Sequence, residues 1–465
     1  MAPTLRAVAR GGVRAPRRHR VRIIIIGGGE IGFALAKALA AHHELSVVDT
    51  QTRVADRFGL LDVAFLSGSG TSPGVLERAG VDGADLLIAC TGLDEVNLVA
   101  CSLGSRLGCR RTICFVSRED FVQTEDRSGG LSEHFGIDQV VWPEAQLAEA
   151  IERIIMAPGS VDAGVFAGGE IRLLEFRLSP DSPLVGPTVA SLDLPYGVVI
   201  VAVHRGDATT IPRGRTVLEP GDKVVLMGTR NAMHTMQRQL APDVAERRSR
   251  RVTIIGGGDV GLRLAARLES EAGIELLVVE HDRVRGEMLA ATLTKTLVLE
   301  GDGTDLGLLE TEEIGRSDVM VSVIDNDERN LLACLIGRQL GVGTVITRVS
   351  IPANLRLFER VGIDVALSAR GAAVASVVHQ IDGGRASLLQ VLDEGQAKVV
   401  ELTMPEGFAP RLLRDLGMPE DTIIGSLVRG GQVIVPRGDD RLEPGDRVLV
   451  CTTGMSAERL RTLFT

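Results

Sequence analysis

The sequence lacks any hydrophobic run long enough to cross a membrane as a helix. The stretch 198–203 is typical of its longest apolar segments, whereas a membrane-spanning helix needs roughly 18 or more apolar residues. Basic residues are outnumbered, with 51 Lys and Arg against 61 Asp and Glu, which gives a net charge of -10. Such a charge does not favour binding to nucleic acid through bulk attraction to phosphate. We therefore expect a soluble protein that does not bind nucleic acid.

Cysteine is scarce, and its positions do not suggest a metal or redox site. The sequence contains no C-x-x-C pair and no histidine group near a cysteine, and most of its six cysteines lie inside apolar segments. These residues are Cys90, Cys101, Cys109, Cys114, Cys334 and Cys451. We predict reduced, buried thiols.

Recognisable catalytic motifs are also missing. The eight histidines are scattered, and neither H-E-x-x-H nor G-x-S-x-G occurs. His281 directly follows Glu280, but a loop residue is a better interpretation than a general base. We therefore expect no catalytic residues and no metal site, and we predict that the chain is not an enzyme.

The sequence contains one pattern twice. IIIIGGGEIGFALAKAL, from Ile23, and TIIGGGDVGLRLAARL, from Thr253, each join a β-branched run, a G-x-G-x-x-G turn and an amphipathic helix. One such fingerprint is weak, but two in register indicate a duplicated nucleotide-binding unit. The predicted cofactor-binding turns comprise Gly27, Gly28, Gly29, Glu30, Ile31 and Gly32, and Gly256, Gly257, Gly258, Asp259, Val260 and Gly261.

Further landmarks follow each turn in the same order. GSGT at residues 68–71 matches GDGT at 301–304, DEVN at 94–97 matches DERN at 327–330, and FGID at 135–138 matches VGID at 361–364. Strands are predicted at 21–26, 45–48, 63–66, 85–89 and 112–116, with helical patterns such as 31–41 and 96–107 between them. Strands separated by helices of this length form a parallel sheet.

Each duplicated unit is followed by a shorter one of different character. Both shorter units contain a hairpin-like pair of apolar runs, a PRG sequence and the turn LEPGD, at 218–222 and 442–446. Pro-Gly-Asp between a leucine and a β-branched run indicates a tight turn into a strand. The polar segment 241–250 is predicted to link the halves.

The predicted fold is α/β, with two Rossmann-like, doubly wound parallel-sheet domains, each followed by a small α+β domain. The predicted limits are 21–155 and 251–381 for the Rossmann domains, and 160–240 and 385–465 for the small ones. Residues 1–20 contain six arginines and no acid. They could be a transit peptide, a lipid-touching tail or a disordered tail, and we favour the last.

An acidic residue ends the second strand of each Rossmann unit. Asp49 and Glu280 follow the first glycine of their turns by about 20 residues, the position of a ribose-binding acid. A carboxylate there accepts hydrogen bonds from a 2′-hydroxyl and repels a 2′-phosphate. We therefore favour nucleotides with a free ribose, such as NAD or ATP, over NADP.

The two predicted sites differ at their later loops. Ser69 matches Asp302, Thr91 and Gly92 match Ile324 and Asp325, and Phe115 matches Arg348. An arginine at that position could pair with phosphate oxygens. A solvated or structural salt-bridging role for Arg348 is an equally good interpretation. The sequence therefore predicts two unequal pockets.

The repeated order of glycine turn, acid, GSGT or GDGT, DEVN or DERN and LEPGD resembles the TrkA family of Trk potassium-uptake regulatory proteins. That family consists of tandem RCK (regulator of potassium conductance) domains, each an RCK-N Rossmann unit followed by an RCK-C unit. The resemblance covers residues 21–465. It implies that Gly27 to Gly32, Asp49, Thr91 and Gly92 form the first NAD site, and that Gly256 to Gly261 and Glu280 belong to the second. The family's fifth-strand arginine falls on Phe115 in the first half.

The resemblance also implies a function without catalysis. It points to a cytoplasmic regulatory subunit, peripheral on the inner face of the cell membrane, that assembles as a homo-oligomeric ring, a tetramer of tandem chains. The ring acts on a potassium-translocating membrane protein through NAD(H), with ATP or ADP as competing nucleotides. Two alternatives are an NAD-dependent oxidoreductase with duplicated Rossmann domains and an RCK regulator of another cation transporter.

Overall fold

The computed structural model describes residues 21–40, 43–118, 121, 134–157, 159–160, 162–166, 170–206, 208–240, 249–351, 354–381, 386–392 and 397–453. The chain divides into two compact units between Val140 and Val141. The leader predicted at residues 1–20 and most of the predicted linker 241–250 lie outside the described residues. Within the described part, no helix is both long and apolar enough to cross a membrane.

The first unit is built on a parallel sheet. Its strand order is β3-β2-β1-β4-β5-β6, the order of a Rossmann fold. The β-branched run Ile23 to Ile26 is fully buried, as expected for a central parallel strand. The elements are β1 (Arg22–Ile26), α1 (Glu30–Leu39), β2 (Glu44–Asp49), α2 (Ala55–Phe58), β3 (Val63–Ser67), α3 (Pro73–Arg78), β4 (Leu86–Ala89), α4 (Asp94–Arg106), β5 (Thr112–Phe115) and β6 (Gln139–Val141).

The strands predicted for the first half are confirmed. Each of the five is present, and no end differs from its prediction by more than one residue. The first three strands end next to or at a turn-forming or acidic residue, namely Gly27, Asp49 and Gly68, so their limits follow directly from composition.

The second unit begins with a helix and a small antiparallel sheet of order β10-β9-β11-β8-β7. The predicted hairpin is confirmed, since β9 pairs antiparallel with β10. The LEPGD turn precedes β11, and its Gly221 has a φ of 88°. The elements are α5 (Pro143–Ile155), β7 (Asp162–Phe166), β8 (Ile171–Arg177), β9 (Val198–Arg205), β10 (Ala208–Thr210), β11 (Lys223–Thr229) and α6 (Arg230–Leu240).

A second Rossmann domain follows in the same unit. Its parallel sheet has the order β14-β13-β12-β15-β16-β17, equivalent to that of the first. The elements are β12 (Arg250–Ile255), α7 (Asp259–Leu268), β13 (Ile274–Glu280), α8 (Arg283–Thr292), β14 (Leu297–Glu300), α9 (Leu306–Thr311), β15 (Val319–Ser322), α10 (Asp327–Leu340), β16 (Thr344–Arg348), α11 (Leu355–Arg360), β17 (Val365–Leu367) and α12 (Ala369–Ile381).

The final part is a second small antiparallel sheet, of order β18-β19-β24-β21-β22, with β20 and β23 paired beside it. Residues of the two small sheets, among them Met227 and Leu449, share one hydrophobic core. A Cβ at Gly425 would lie 2.5 Å from the sulfur of Met227, so glycine allows this close approach. The strands are β18 (Ala386–Leu392), β19 (Ala397–Thr403), β20 (Arg411–Leu412), β21 (Thr422–Arg429), β22 (Gln432–Ile434), β23 (Arg441–Leu442) and β24 (Arg447–Thr452).

Helix α5 packs into the second Rossmann domain. The sequence analysis included residues 143–155 in the first Rossmann domain, whose predicted limits are 21–155. Its buried residues Leu147, Ile151 and Ile154 instead belong to a core that includes Leu264 of α7 and Val321 of β15. The segment that follows the first parallel sheet in the chain therefore completes the second.

Candidate nucleotide-binding sites

The first glycine turn has the features of a phosphate-binding loop. Gly27 has a φ of 109°, and a Cβ there would lie 3.0 Å from the backbone nitrogen of Thr91. A Cβ at Gly32 would lie 1.8 Å from the carbonyl oxygen of Gly27. A Cβ at Gly29, in contrast, would have no neighbour within 4 Å. Two glycines thus form the turn, and the third leaves room for a phosphate at the start of α1.

The second turn repeats this geometry. Gly256 has a φ of 101°, and a Cβ at Gly261 would lie 1.9 Å from the Gly256 carbonyl oxygen. A Cβ at Gly258 would again have no neighbour within 4 Å. The amino end of α7 is therefore also open to an approaching anion.

Between the second and third glycines of each turn lie two residues, of which the first forms an ion pair and the second packs against the domain core. Glu30 pairs with Arg57 at 3.0 Å, and Asp259 pairs with Arg285 at 2.7 Å. Ile31 is half-buried and Val260 is buried, so their side chains support the helices α1 and α7.

The predicted ribose-binding acids lie beside the turns, and backbone amides hold them in place. Asp49 Oδ2 accepts a hydrogen bond from the amide of Gly28 at 2.6 Å. Glu280 Oε2 accepts one from Gly257 at the same distance, 2.6 Å, and Oε1 accepts one from Asp282 at 2.8 Å. The two acids therefore occupy equivalent positions, each fixed against the turn of its own half.

Glu280 is held in its ionised form. Its burial alone would raise the pKa, but hydrogen bonds from the Asp282 and Gly257 amides and from the neighbouring His281 outweigh burial and lower the pKa below its ordinary value. His281 lies 3.0 Å from Glu280 Oε1 and is mostly exposed, in agreement with its interpretation as a loop residue. An ionised carboxylate is a pure acceptor, which suits the hydroxyls of a ribose.

An open cavity of about 730 Å³ lies over the second turn. Gly256, Gly258 and Glu280 line it together with residues from α8 and from the loops after β14 and β15. The side chains of Val284 and Met288 are exposed on its α8 side. Such a mixture of an apolar wall and a few fixed polar groups is typical of small-molecule sites.

The additional carboxylate of the second half, Asp302, forms an ion pair with Arg329. Its Oδ1 accepts hydrogen bonds from the Thr304 amide at 2.9 Å and hydroxyl at 2.8 Å, and from Arg329 Nη2 at 2.7 Å. The Thr304 bonds, followed by Arg329, lower the pKa of Asp302 to about 2. Arg329 itself lines the cavity.

Arg348 forms another ion pair, with a residue that lines this cavity. It lies at the end of β16 and pairs with Asp325, an exposed residue of the cavity wall. Its carbonyl oxygen accepts a hydrogen bond from Asn330 Nδ2 at 3.2 Å. The sequence left open a phosphate-binding role or a solvated or salt-bridging role for Arg348, and in the structure Arg348 forms a salt bridge.

The equivalent positions of the first half carry no such ion pairs. Ser69 Oγ lies 2.8 Å from Thr71 Oγ1, and Thr91 is hydrogen-bonded to Asn97. Phe115 is buried, and its carbonyl oxygen accepts a hydrogen bond from Asn97 at 2.9 Å. That bond is the counterpart of the one between Asn330 and Arg348, so it supports the alignment of Phe115 with Arg348. Gly92, the counterpart of Asp325, borders open space.

Two arginines at the second site were missed by sequence reasoning. Arg285 Nε donates to the Gly257 carbonyl oxygen at 2.8 Å, and Arg329 pairs with Asp302. A signal for Arg329 was present, because DERN carries an arginine where DEVN carries Val96. Arg57 forms the corresponding ion pair in the first half, with Glu30, but the sequence does not show that either arginine contacts the turn.

The cysteines are buried free thiols, as predicted. Burial, opposed in part by a hydrogen bond at Cys334 and at Cys451, raises the pKa of Cys90, Cys334 and Cys451 to about 12. Over the described ranges, no group of three or more His, Cys, Asp or Glu residues is arranged to hold a metal ion.

Comparison with known proteins agrees with this architecture. The TrkA-N domain model matches residues 23–143 and 252–369, and the TrkA-C domain model matches residues 173–241 and 399–465. A Trk system potassium uptake protein TrkA homolog from Methanosarcina mazei is 35% identical over 453 residues, covering 96% of this chain and all of the relative. One from Archaeoglobus fulgidus is 33% identical and covers 96% of this chain and all of the relative. TrkA from Halomonas elongata is 32% identical and covers 92% of this chain and 95% of the relative.

Solved structures share the fold at lower identity. The GsuK RCK domain is 19% identical with a TM-score of 0.57, covering 97% of this chain and 96% of that one. A GsuK channel bound to NAD has the same identity and TM-score, and 79% of that chain is covered. The two parallel sheets and their small antiparallel partners are thus an RCK architecture. With TrkA-N and TrkA-C domains each present twice, and with relatives above 30% identity over nearly the whole chain, this protein belongs to the TrkA family.

Proposed function

We propose that the chain is the nucleotide-binding regulatory subunit of a Trk-type potassium uptake system. The names of its relatives and the duplicated TrkA-N and TrkA-C domains support this role. The observation that carries the proposal is the cavity over the second glycine turn, because it joins an open phosphate position at Gly258 to the ionised ribose acceptor Glu280. The chain acts by binding a ligand and changing its partner, not by catalysis.

The ligands are adenosine nucleotides with an unmodified ribose: NAD(H), with ATP or ADP competing for the same pockets. A phosphate sits at the amino end of α1 or α7, and the ribose hydroxyls bind Asp49 or Glu280. In the second pocket, Val284 and Met288 offer an apolar surface to the adenine ring. A 2′-phosphate would meet the carboxylate of Asp49 or Glu280, so NADP is disfavoured.

The two pockets have different roles in sensing the nucleotide. The wall of the second pocket contains Arg329, and Arg348 pairs with the wall residue Asp325. Both arginines can exchange their carboxylate partners for phosphate oxygens. In the first, Thr91 and Gly92 border the ligand and Phe115 takes the place of the arginine. A ligand changes the conformation of a protein only if it binds one state better than another. In the second pocket, replacement of the carboxylate partners of these arginines by phosphate oxygens provides such a difference in affinity between two conformations.

The proposed partner is a Trk-type potassium-translocating membrane protein, bound on the cytoplasmic face of the cell membrane. The chain assembles there as a homo-oligomeric ring, a tetramer of tandem chains. Co-purification with the membrane subunit tests the partner, and the mass of the purified oligomer tests the ring. Co-purification with a different cation transporter in its place would contradict this assignment.

Calorimetry on the purified full-length protein tests the ligands. NAD, NADH, ADP and ATP are titrated into the wild type, Gly29→Asp and Gly258→Asp. Both variants add a carboxylate at a position where a Cβ meets open space, so they block a phosphate without disturbing the fold. Each variant should lose one class of sites and keep the other.

A titration with NADP and thermal unfolding of the three proteins serve as controls. NADP should bind at least about tenfold more weakly than NAD, the effect of roughly 1.4 kcal/mol. Thermal unfolding should be nearly equal for the three proteins in the absence of ligand. If the wild type binds none of the four nucleotides, the proposed function is wrong.

A further inference from the structure

A second cavity, which we call the basal cavity, lies at the amino end of the parallel strands in the second Rossmann domain. Its volume is about 400 Å³, which is within the range of small-molecule sites. Its wall is formed by the starts of β12, β15 and β16 and by the end of α5. The wall residues include Ile154, Arg250, Asp318, Gly343, Thr344 and Ile346.

The basal cavity is separate from the nucleotide pocket. Val319, at the start of β15, lines the basal cavity, whereas Val323, just beyond the end of this strand, lines the nucleotide cavity. A strand rises about 3.3 Å per residue, so Val319 and Val323, four residues apart, lie about 13 Å from each other. The two cavities therefore lie at opposite ends of the same strands, and nucleotide binding does not account for the basal one.

The first Rossmann domain has a side chain where the second has this space. The Arg110 amide donates to the carbonyl oxygen of Ala84 at 3.1 Å, and the Gly343 amide makes the same bond to Ser317 at 3.2 Å. Arg110 and Gly343 are therefore structurally equivalent. Arg110 Nη1 also lies 2.9 Å from Asp85 Oδ1. An ion-paired arginine in the first domain is thus replaced in the second by a glycine that lines a cavity.

The acid of this ion pair is retained in the second domain, and a cation lies on a different strand. Asp318 Oδ2 accepts a hydrogen bond from the Arg251 amide at 2.9 Å, as Asp85 Oδ2 does from the Arg22 amide at 3.0 Å. Arg250, on the neighbouring strand β12, lines the cavity together with Asp318 and is half-buried. The cavity therefore contains one carboxylate and one guanidinium.

Arg250 has hydrogen-bonding capacity for a ligand. Its side chain makes one hydrogen bond to another described residue, from Nη1 to the carbonyl oxygen of Ile155, whereas a guanidinium has five N–H donors. Burial lowers the pKa of Arg250, and the charge of Asp318 acts in the opposite direction, but an arginine stays protonated. Thr344, half-buried in the same wall, adds a hydroxyl. A guanidinium and a hydroxyl are good donors for a carboxylate.

The rest of the wall limits the kind of anion that fits. Ile154 and Ile346 are aliphatic wall residues, so they favour a ligand with a hydrocarbon chain. Asp318 already places one negative charge beside Arg250. A doubly charged phosphate would meet about twice the repulsion from Asp318 that a carboxylate meets. The wall therefore favours a monoanion.

We propose that the basal cavity binds a small monocarboxylate with a short aliphatic chain. The carboxylate accepts hydrogen bonds from Arg250 and Thr344, and the chain lies against Ile154 and Ile346. Because Ile154 belongs to α5 and the other three residues belong to the sheet, the ligand joins α5 to the second Rossmann domain. This site is additional to the proposed nucleotide pockets.

Calorimetry and thermal unfolding with butyrate test the site. The full-length protein carries Gly29→Asp and Gly258→Asp to block carboxylates at the glycine turns, and sodium chloride keeps the ionic strength constant. Butyrate should bind and raise the unfolding temperature, since a ligand of the folded state stabilises it. Shortening the chain to acetate should weaken binding by about two- to fourfold for each methylene removed. Butylammonium, with a similar chain and the opposite charge, should not bind.

A pair of charge variants tests the role assigned to Arg250. Arg250→Gln should weaken butyrate binding by at least about tenfold, the effect of losing a charge-assisted hydrogen bond. Arg251→Gln is the matched control, because Arg251 is the next residue along β12 and its side chain also donates to a backbone carbonyl, that of Glu312. This control should bind butyrate as before.

A pair of glycine variants tests the position of the ligand. Gly343→Arg introduces the residue that the first domain has at this position, so it should fill the cavity and abolish butyrate binding. A Cβ at Gly343 would lie 2.9 Å from the carbonyl oxygen of Asp318. Gly343→Ala brings the same close contact without filling the cavity and should still bind butyrate. Thermal unfolding without ligand checks that each variant is folded.

Three results would overturn the inference. The first is equal stabilisation by butyrate and by chloride at the same ionic strength. The second is tighter binding of butylammonium than of butyrate, which would mean that Asp318 and not Arg250 selects the ligand. The third is butyrate binding that Arg250→Gln and Arg251→Gln weaken equally, or that folded Gly343→Arg retains, because the ligand would then lie outside the basal cavity. All three are independent of nucleotide binding.

Discussion

Two arginine–aspartate pairs have the same geometry in the two small domains. Arg205 Nε and Nη2 donate to the two carboxylate oxygens of Asp222 at 2.8 and 2.7 Å. Arg429 binds Asp446 in the same way, also at 2.8 and 2.7 Å. Each aspartate is the last residue of an LEPGD turn, and each also accepts a backbone amide three residues earlier. The motif is thus a buried acceptor that closes a turn onto the neighbouring strand.

Removal of this acceptor should destabilise the small domain. Asp446→Ala leaves the guanidinium of Arg429, which is partly exposed, without its bidentate partner. We expect a loss of about 2 kcal/mol in the free energy of unfolding, below the range for a fully buried pair because Arg429 keeps contact with water. Asp439→Ala removes the exposed partner of Arg414 and should cost less than about 1 kcal/mol. Urea unfolding compares them, and equal shifts would contradict the prediction.

The Arg429–Asp446 pair predicts that the stability of the second small domain depends on pH. Burial alone would raise the pKa of Asp446, but the bonds from Arg429 and from the Glu443 amide hold it below its usual 3.8. A carboxyl with a lowered folded pKa stabilises above its unfolded pKa, and this stability is lost as pH falls through the folded value. The difference in urea midpoint between the wild type and Asp446→Asn should therefore be constant from pH 7 to about 5 and shrink below about pH 4. If the difference in urea midpoint grew on acidification, the folded pKa of Asp446 would be raised and not lowered, and the prediction would be wrong.

The arginines of the second pocket should distinguish nucleotides by phosphate. In the Gly29→Asp background, Arg348→Ala should weaken ATP binding by about tenfold, the worth of one charge-assisted hydrogen bond, and NADH binding by less. Arg329→Ala should act in the same direction. Arg316→Ala, at an exposed pair with Glu313 outside the cavity, serves as the charge-matched control. Calorimetry decides: an equal loss for ATP and NADH would reject a phosphate-sensing role.

The sequence predicts those parts of the site whose positions are set within one short segment of the chain, and not those that depend on contacts between distant segments. The positions of the glycine turns and of the acids Asp49 and Glu280 were predictable, because each position is set by chain geometry within a single βαβ unit. The pair of Asp302 and Arg329 joins the loop after β14 to α10. Its charges could be read from the aligned repeats, but their contact follows only once both ends are known to meet at the carboxyl edge of the sheet.

At the scale of elements, the strands were predictable and the partner of α5 was not. A β-branched run bounded by turn residues defines a strand by itself. The apolar face of α5 predicts a buried helix, but not which of two similar sheets covers it. In the structure, its residues Leu147 and Ile151 complete the core of the second Rossmann domain. Periodicity identifies a buried face, and only tertiary contacts identify the surface against it.

The packing of α5 leads to an element-specific prediction. Ile151 is fully buried, and Ile151→Ala should cost about 3 kcal/mol, within the range for truncation of a large core side chain. Because the cavity forms in the second Rossmann core, hydrogen exchange should accelerate across 250–369 and stay unchanged across 22–118. Arg153→Ala, an exposed position on the same helix, should change neither. Faster exchange confined to the first sheet would show that α5 supports that sheet instead.

At the scale of the whole molecule, duplication has produced two pockets with one scaffold and different electrostatics. The turns, the acids and the asparagines Asn97 and Asn330 keep the same contacts in both halves. The ion pairs of Asp302 and Asp325 occur in the second half, where the first has Ser69 and Gly92. The shared contacts maintain the fold, so we expect the differences to affect the proposed ligand. The second pocket is therefore the one in which we expect the phosphate number of the nucleotide to be converted into a change of conformation.

This asymmetry predicts different effects of the two blocked pockets on transport. In proteoliposomes containing the purified Trk membrane subunit, rubidium flux is measured with NADH or ATP added. Gly258→Asp adds its side chain in open space, so the variant should still assemble and bind the membrane subunit, yet the difference in flux between ATP and NADH should disappear. Gly29→Asp, the matched change in the first turn, should retain that difference because Arg329 and Arg348 are intact. If Gly29→Asp abolished the difference and Gly258→Asp preserved it, phosphate number would be sensed in the first pocket, and the role assigned to the ion pairs of the second would be wrong.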